Sequence, residues 1–164
     1  MKNTSSEHSP ISDRQAQAQD LLRQAQVRVT AARLDVLSLL LESPRALSHL
    51  ELQASLPHMD RVTLYRALDC LTEVKLSHKI TNDDRISRYS STLEEGANNI
   101  HHLGHQHAHF QCTRCSKVFC LEDNEPRLQT QVAHTLDLIA QRGFQNHGIE
   151  LTIKGWCPQC SADA

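Results

Sequence analysis

Two Cys-x-x-Cys pairs, Cys112/Cys115 and Cys157/Cys160, constrain this chain more than any other feature, because 41 residues separate them. Four thiolates in two such pairs can close a tetrahedral site around zinc, provided the fold brings the two segments together. The fold must therefore return its C-terminal end to residues 112–115. The spacing predicts a structural Zn²⁺ held by Cys112, Cys115, Cys157 and Cys160, one per chain. A redox dithiol is the competing reading. It is weaker because a thioredoxin-like pair opens a helix after a strand, whereas both pairs here read as turns where two loops converge.

At 164 residues the chain suits one ordinary domain or two small ones, and small domains bury too little apolar surface to be stable without help. A structural metal offsets that shortfall. No apolar run approaches the roughly 20 residues of a membrane span, and Met1 to Asp13 lacks the apolar stretch of a secretory signal. The expectation is a cytoplasmic protein without membrane association, in a compartment where paired cysteines bind metal rather than form disulfides. Net charge is −2, which alone neither establishes nor excludes a nucleic-acid partner. Residues 1–90 carry 12 basic against 11 acidic side chains and residues 91–164 carry 5 against 8, so any basic face is local.

The N-terminal half reads as short helices followed by a hairpin. Gln15 to Gln26 is a weak helix carrying Leu21, Leu22 and Ala25. Thr30 caps a second, with Leu34, Leu37, Leu40 and Leu41 on one face and Ser43-Pro44 as its stop. A third follows Ser48 and ends at Pro57. Asp60 caps a fourth, where Val62, Tyr65, Leu68 and Leu71 are expected as the apolar stripe and Arg61, Thr63, Arg66 and Asp69 as the outward face. Leu76 to Thr81 and Ile86 to Ser90, flanking Asn82-Asp83-Asp84, predict a hairpin. Helices followed by a hairpin describe a winged helix-turn-helix, whose recognition helix would carry Arg61, Thr63, Tyr65 and Arg66. The alternative for that helix is a solvated surface, with Tyr65 in the core.

In the C-terminal half, His107 to Cys112 alternates as a strand does, placing His107 and His109 on one face with Gln111. Two same-face imidazoles make a chelating pair. Lys117 to Leu121 is a second strand, so Cys120 could face His107 or His109. A helix from about Glu125 to Arg142 carries Leu128, Val132, Leu136 and Ile139 on one face, with Gly143 as its stop. Ile149 to Ile153 is the last strand. A His-rich run can also be a solvated loop, and His101, His102, His105 and His147 stay open as further donors, His105 as a substitute for either strand histidine. His49 reads as a surface residue at a helix N-terminus, and Cys70 as a small buried hydrophobe.

Taken together, Arg28-Val-Thr-Ala-Ala-Arg33, Arg61-Val-Thr-Leu-Tyr-Arg-Ala-Leu68, His107-x-His109-Phe-x-Cys112-x-x-Cys115 and Gly155-x-Cys157-x-x-Cys160 resemble the Fur family of metal-responsive bacterial repressors over roughly residues 15 to 160. The resemblance implies a homodimer with an N-terminal winged helix and a C-terminal α/β dimerisation domain. It also implies that the four cysteines hold structural zinc, that Thr63, Tyr65 and Arg66 sit on the DNA-reading helix, and that Arg28, Thr30 and Arg33 belong to the family's other DNA-proximal segment. Within the family, iron-sensing members carry His at the position of Ala46 and Glu at those of Ser90 and Cys120. His78 falls where zinc-sensing members place a ligand. The regulatory set that this comparison implies is His78, His107, His109 and Cys120, four soft or borderline donors suited to tetrahedral Zn²⁺. Gln106, Ala108 and Arg127 occupy the usual ligand positions of the family's third site, which speaks against that site here.

The expected architecture is α+β: a tail at 1–12, a winged-helix DNA-binding domain at 13–91, a hinge at 92–104, and an α/β dimerisation and metal-binding domain at 105–164. The expected function is zinc-dependent repression of metal-uptake and homeostasis genes by a homodimer on a double-stranded operator, with no catalytic residues and no small-molecule substrate. An iron-responsive or peroxide-sensing relative is the alternative. A zinc enzyme is the more distant one, since Glu122 and Asp123 are the carboxylates that follow the His and Cys run most closely in sequence and four ligands leave no open position.

Overall fold

The structure, a computed structural model, describes residues 10–81, 84–92, 108–121, 126–145 and 151–162, with side chains of 10–12 and 126–133 left aside. The chain divides into two units, Met1–Ile100 and His101–Ala164, each built around its own three-stranded sheet.

The first unit begins with α1 (Pro10–Gln24), five residues earlier than the leucine spacing predicts. Pro10 stands at its first position, where the missing N–H costs nothing and the fixed φ already suits a helix. The helix closes with Val27 N–H donating to the Leu22 carbonyl and Gln26 N–H to Arg23, with Gln26 at φ 57°. This is the two-bond helix stop that glycine usually supplies. α2 (Ala31–Glu42) starts where Thr30 accepts from the Arg33 amide and ends at Ser43, as its capping residues predict.

A short strand, β1 (Leu47–Ser48), leads directly into α3 (His49–Ser55). Ser48 and Glu51 form a reciprocal capping box: Ser48 Oγ accepts from the Glu51 amide, and the Glu51 carboxylate accepts from Ser48 N–H at 2.8 Å. Arg45 Nη2 reaches the same carboxylate at 2.7 Å. Burial pushes the Glu51 carboxyl up, but the bonds from Arg45 and Ser48 outweigh it and hold the group at about 2.

α4 (Arg61–Glu73) is capped by Asp60, which accepts from the amides of Val62 and Thr63. Its buried stripe is Leu64, Ala67, Leu68 and Leu71, which corrects the predicted one. Val62 is 58% and Tyr65 42% exposed. The reason is geometric: Val62, Tyr65, Leu68 and Leu71 step by three, and each such step rotates about 60° short of a full turn, so Val62 ends up opposite Leu71. α4 ends like α1, with Leu76 N–H donating to the Leu71 carbonyl and Lys75 N–H to Thr72, Lys75 taking φ 62°.

The hairpin forms as predicted. β2 (Ser77–Thr81) pairs antiparallel with β3 (Ser87–Ser91), and β1 pairs with the other edge of β3, giving the order β1-β3-β2. Arg88 is buried and held by Asp84 through bonds of 2.7 and 3.1 Å, a pairing that fixes the hairpin and offsets the cost of burying a guanidinium. Leu22, Leu37, Leu40, Leu52, Leu64, Leu68, Leu71, Leu76 and Tyr89 share one core, each leucine contributing about 1.5–3 kcal/mol by leaving water. Helices followed by this hairpin make the unit a winged helix.

In the second unit β4 (Ala108–Cys112) is the central strand. It pairs antiparallel with β5 (Val118–Leu121) and parallel with β6 (Leu151–Gly155), giving the order β5-β4-β6. β6 runs two residues beyond the predicted end, and the predicted start at Ile149 lies outside the described residues. α5 (Pro126–Gln141) precedes β6, as a parallel pairing requires of its connection. Gly143, at φ 81°, stops α5 with the same pair of bonds, from Gly143 N–H to Ala140 and from Phe144 N–H to Ile139. Leu136 and Ile139 are half-buried and Leu138 is exposed, while the side chains of Leu128 and Val132 lie outside the described set. A last helix, α6 (Pro158–Ala162), follows Cys157.

Candidate metal centres

The parallel pairing of β4 with β6 is what brings the two cysteine pairs together. Cys112 lies opposite Gly155 in the ladder, so the chain leaving β6 reaches Cys157 beside the turn that follows β4. Thr113 N–H donates to the Gly155 carbonyl at 2.8 Å, and Cys112 N–H to the Lys117 carbonyl at 2.9 Å, which fixes the first pair as a tight turn. Ser116 sits at φ 57° to complete it. The backbone of Gly155 also passes close to the Phe110 ring: a Cβ there would meet it at 3.2 Å, so the ring would have to give by a few tenths of an ångström.

The four sulfurs of Cys112, Cys115, Cys157 and Cys160 all lie within 4.8 Å of one another, and Cys115 Sγ is 3.9 Å from Cys157 Sγ. Metal–sulfur bonds of about 2.3 Å in a tetrahedron put sulfurs about 3.8 Å apart. The donor set therefore fits a four-thiolate structural metal site.

Its electrostatics point the same way. Backbone N–H groups of Cys115 and Cys157, and to a lesser degree that of Arg114, outweigh burial and bring the Cys112 thiol down to about 6. Burial and then the sulfurs of Cys157, Cys115 and Cys112 push Cys160 up to about 12. Crowded sulfurs cannot all ionise against one another, and a bound cation removes that conflict.

The second pair departs from the reading of two loops. Cys157 opens a helix, with Ser161 N–H donating to the Cys157 carbonyl at 2.9 Å, and Pro158 takes its first position. A Cys-x-x-Cys opening a helix after a strand is the arrangement expected of a redox dithiol. Here the sulfurs of the other pair complete a cluster of four, which a dithiol does not require. Side chains lace the two segments together: Arg114 Nη1 donates to the Cys160 carbonyl at 2.8 Å, the Arg114 guanidinium lies 4.2 Å over the Trp156 ring, and Lys117 Nζ donates to Gln159 at 3.0 Å.

A second set of donors lies on the same sheet. His109 and Cys120 stand directly opposite in the β4–β5 ladder, so they share a face, and their ligand atoms lie within 4.8 Å of one another. His109 is buried and Cys120 half-buried. His101, His102, His105, His107 and His147 lie outside the described residues. In the first unit, His78 is on β2 opposite Ser90 of β3, and Ala46 is buried. Neither Ala46 nor Ser90 offers the imidazole or carboxylate of the iron-sensing pattern. Cys70, expected to be buried, is half-buried.

Among the residues predicted to touch DNA, Arg28, Arg61, Tyr65 and Arg66 are exposed, and Thr30, Arg33 and Thr63 are half-buried. Thr30 and Thr63 also have structural work. Thr30 caps α2, and Thr63 Oγ1 donates to the Asp60 carboxylate that caps α4. Arg33 Nη1 donates to the Arg28 carbonyl at 2.8 Å, which stiffens the turn between α1 and α2. His49 corrects its reading as a plain surface residue, because its ring stacks on Tyr65 with centroids 3.9 Å apart and planes 21° from parallel. No local signal in the sequence marks that contact.

A sequence model of the Ferric uptake regulator family matches residues 24–154. The chain belongs to this family. The ferric uptake regulation protein of Bacillus subtilis (strain 168) is 31% identical over 105 residues, a match spanning 64% of this chain and 62% of that protein. A solved zinc uptake regulator complexed with zinc and DNA is 28% identical at a TM-score of 0.67, covering 95% of this chain and 98% of that one. The Helicobacter pylori ferric uptake regulator shares the fold at 16% identity and a TM-score of 0.62, over 98% and 97% of the two chains. Members of the Ferric uptake regulator family are transcription regulators rather than enzymes. No described helix is long and apolar enough to cross a membrane.

Proposed function

We propose that this chain is a zinc-responsive repressor that binds a double-stranded operator as a homodimer in the cytoplasm and controls metal-uptake and homeostasis genes. Cys112, Cys115, Cys157 and Cys160 hold a structural Zn²⁺ that keeps the second unit folded. His107, His109 and Cys120 of the second unit, with His78 of the first, form the regulatory set, and His105 is the substitute donor.

The observation that carries the metal assignment is the in-register pairing of His109 with Cys120. An imidazole and a thiolate on one face favour tetrahedral zinc over iron or manganese, which prefer oxygen donors and more of them. The likeness to a zinc uptake regulator complexed with zinc and DNA supports the same reading. A ligand set divided between two units offers a switch: closing the hinge sets the spacing of the two recognition helices in the dimer, and a symmetric dimer reads both half-sites together. Arg61 and Arg66 supply charge to phosphates or guanine edges, and Tyr65 meets a phosphate or a thymine methyl. Arg28, Thr30, Arg33 and Thr63 complete the interface.

Metal analysis tests this. Two zincs per chain are expected, one of them removed by a mild chelator with loss of operator binding. One zinc per chain, or operator binding unchanged after its removal, defeats the reading. The identity with the Bacillus subtilis ferric uptake regulation protein favours iron as the second reading, and competition between metals separates the two.

A further inference from the structure

His49 is the first residue of α3, and the capping box of Ser48 and Glu51 holds the backbone on which it stands. Leu47, two residues earlier, is paired with Tyr89 in the sheet. The backbone that carries the imidazole is therefore held from both sides. The imidazole lies nearly flat on the Tyr65 ring, and both ring nitrogens are buried with no hydrogen-bond partner among the described residues. A buried imidazole normally spends its nitrogens on partners. The contact this ring does make is through its flat face, against Tyr65.

Tyr65 is 42% exposed on a helix surface it shares with Arg61 and Arg66. An exposed tyrosine samples several rotamers, and fixing one on binding costs entropy. A ring already fixed by a stack avoids that cost.

We propose that His49 is a positioning residue for DNA recognition, holding the Tyr65 ring by stacking in the orientation that meets the operator. The proposal rests on the reading of α4 as the DNA-contacting helix. It assigns His49 no contact with DNA of its own, so its whole effect runs through Tyr65.

The test uses the full zinc-loaded chain and a duplex selected by the parent from a random-sequence pool, with affinities read at one fixed salt concentration. His49→Ala is expected to weaken binding about 3- to 10-fold, the scale of one aromatic stack. His49→Phe, which keeps a flat ring without the nitrogens, is expected to stay within about twofold of the parent. In a Tyr65→Ala background, His49→Ala is expected to change nothing further. His49→Leu fills the space without an aromatic face and serves in place of the alanine variant if that variant is unfolded. Its affinity is expected to fall with that of His49→Ala. Parent-like binding by His49→Ala or His49→Leu, while Tyr65→Ala is weakened, overturns the proposal. So does a His49 effect that persists in the Tyr65→Ala background. If Tyr65→Ala itself binds like the parent, it is the reading of α4 that fails, and the two failures are thereby distinguished.

Discussion

His109 and Cys120 face each other across the β4–β5 ladder, one nitrogen and one sulfur donor on a single sheet face. Cys120→Ser exchanges the soft donor for a hard, weaker one at the same place. Operator binding by that variant is expected to need at least about tenfold more free zinc, since even outer-shell partners of a metal cost about 10- to 100-fold. The tightly held structural metal should remain. Fluorescence anisotropy under buffered zinc, with metal content measured on the same samples, checks both halves of this expectation.

The cysteine cluster has a different signature. Cys157→Ala removes one of four ligands and leaves the sulfurs of Cys112, Cys115 and Cys160 without a complete tetrahedron. Because binding a structural metal is folding free energy, the second unit is expected to lose its near-ultraviolet signal from Trp156 along with its metal. Retention of both would show that the cluster is not a structural site.

α4 offers a stability test of its corrected stripe. Leu64 is fully buried while Val62 is 58% exposed. Leu64→Ala is expected to cost about 2–5 kcal/mol, and Val62→Ala no more than about 0.5 kcal/mol. Denaturant titration of the two variants distinguishes this phase of the helix from the one predicted by counting in threes.

That contrast shows what could be read from the sequence. The starts of α2 and α4 were legible because Thr30 and Asp60 cap by reaching only two or three residues ahead. The ends of α1 and α4 were not, since Gln26 and Lys75 take a left-handed conformation that their side chains do not advertise. The four cysteines announced their cluster by spacing, but the parallel ladder that assembles it depends on pairing between strands about 40 residues apart, which no local pattern encodes. The stack of His49 on Tyr65 joins two helices and was invisible for the same reason.

Glu51 sets an expected pH dependence. Its folded carboxyl is lowered from 4.5 to about 2, so its contribution is fully present above the unfolded value and is lost as pH falls from 4.5 toward 2. With the Glu51 side chain 39% exposed, solvent screens part of that effect. Glu51→Gln is expected to destabilise the first unit by about 1 kcal/mol or less at neutral pH. The difference from the parent should shrink as pH drops through that window. An equal difference at pH 7 and near pH 2, followed through the amide signals of α3, would show that the capping box does not act through its charge.

The central claim is that a histidine and cysteine donor set makes this family member respond to zinc. Operator binding measured against buffered free Zn²⁺, Fe²⁺ and Mn²⁺, for the parent and for Cys120→Ala, tests it most directly. The expected result is activation of the parent by zinc at the lowest free concentration of the three, with that preference lost in Cys120→Ala. Activation of the parent by iron at a lower free concentration than zinc would contradict it.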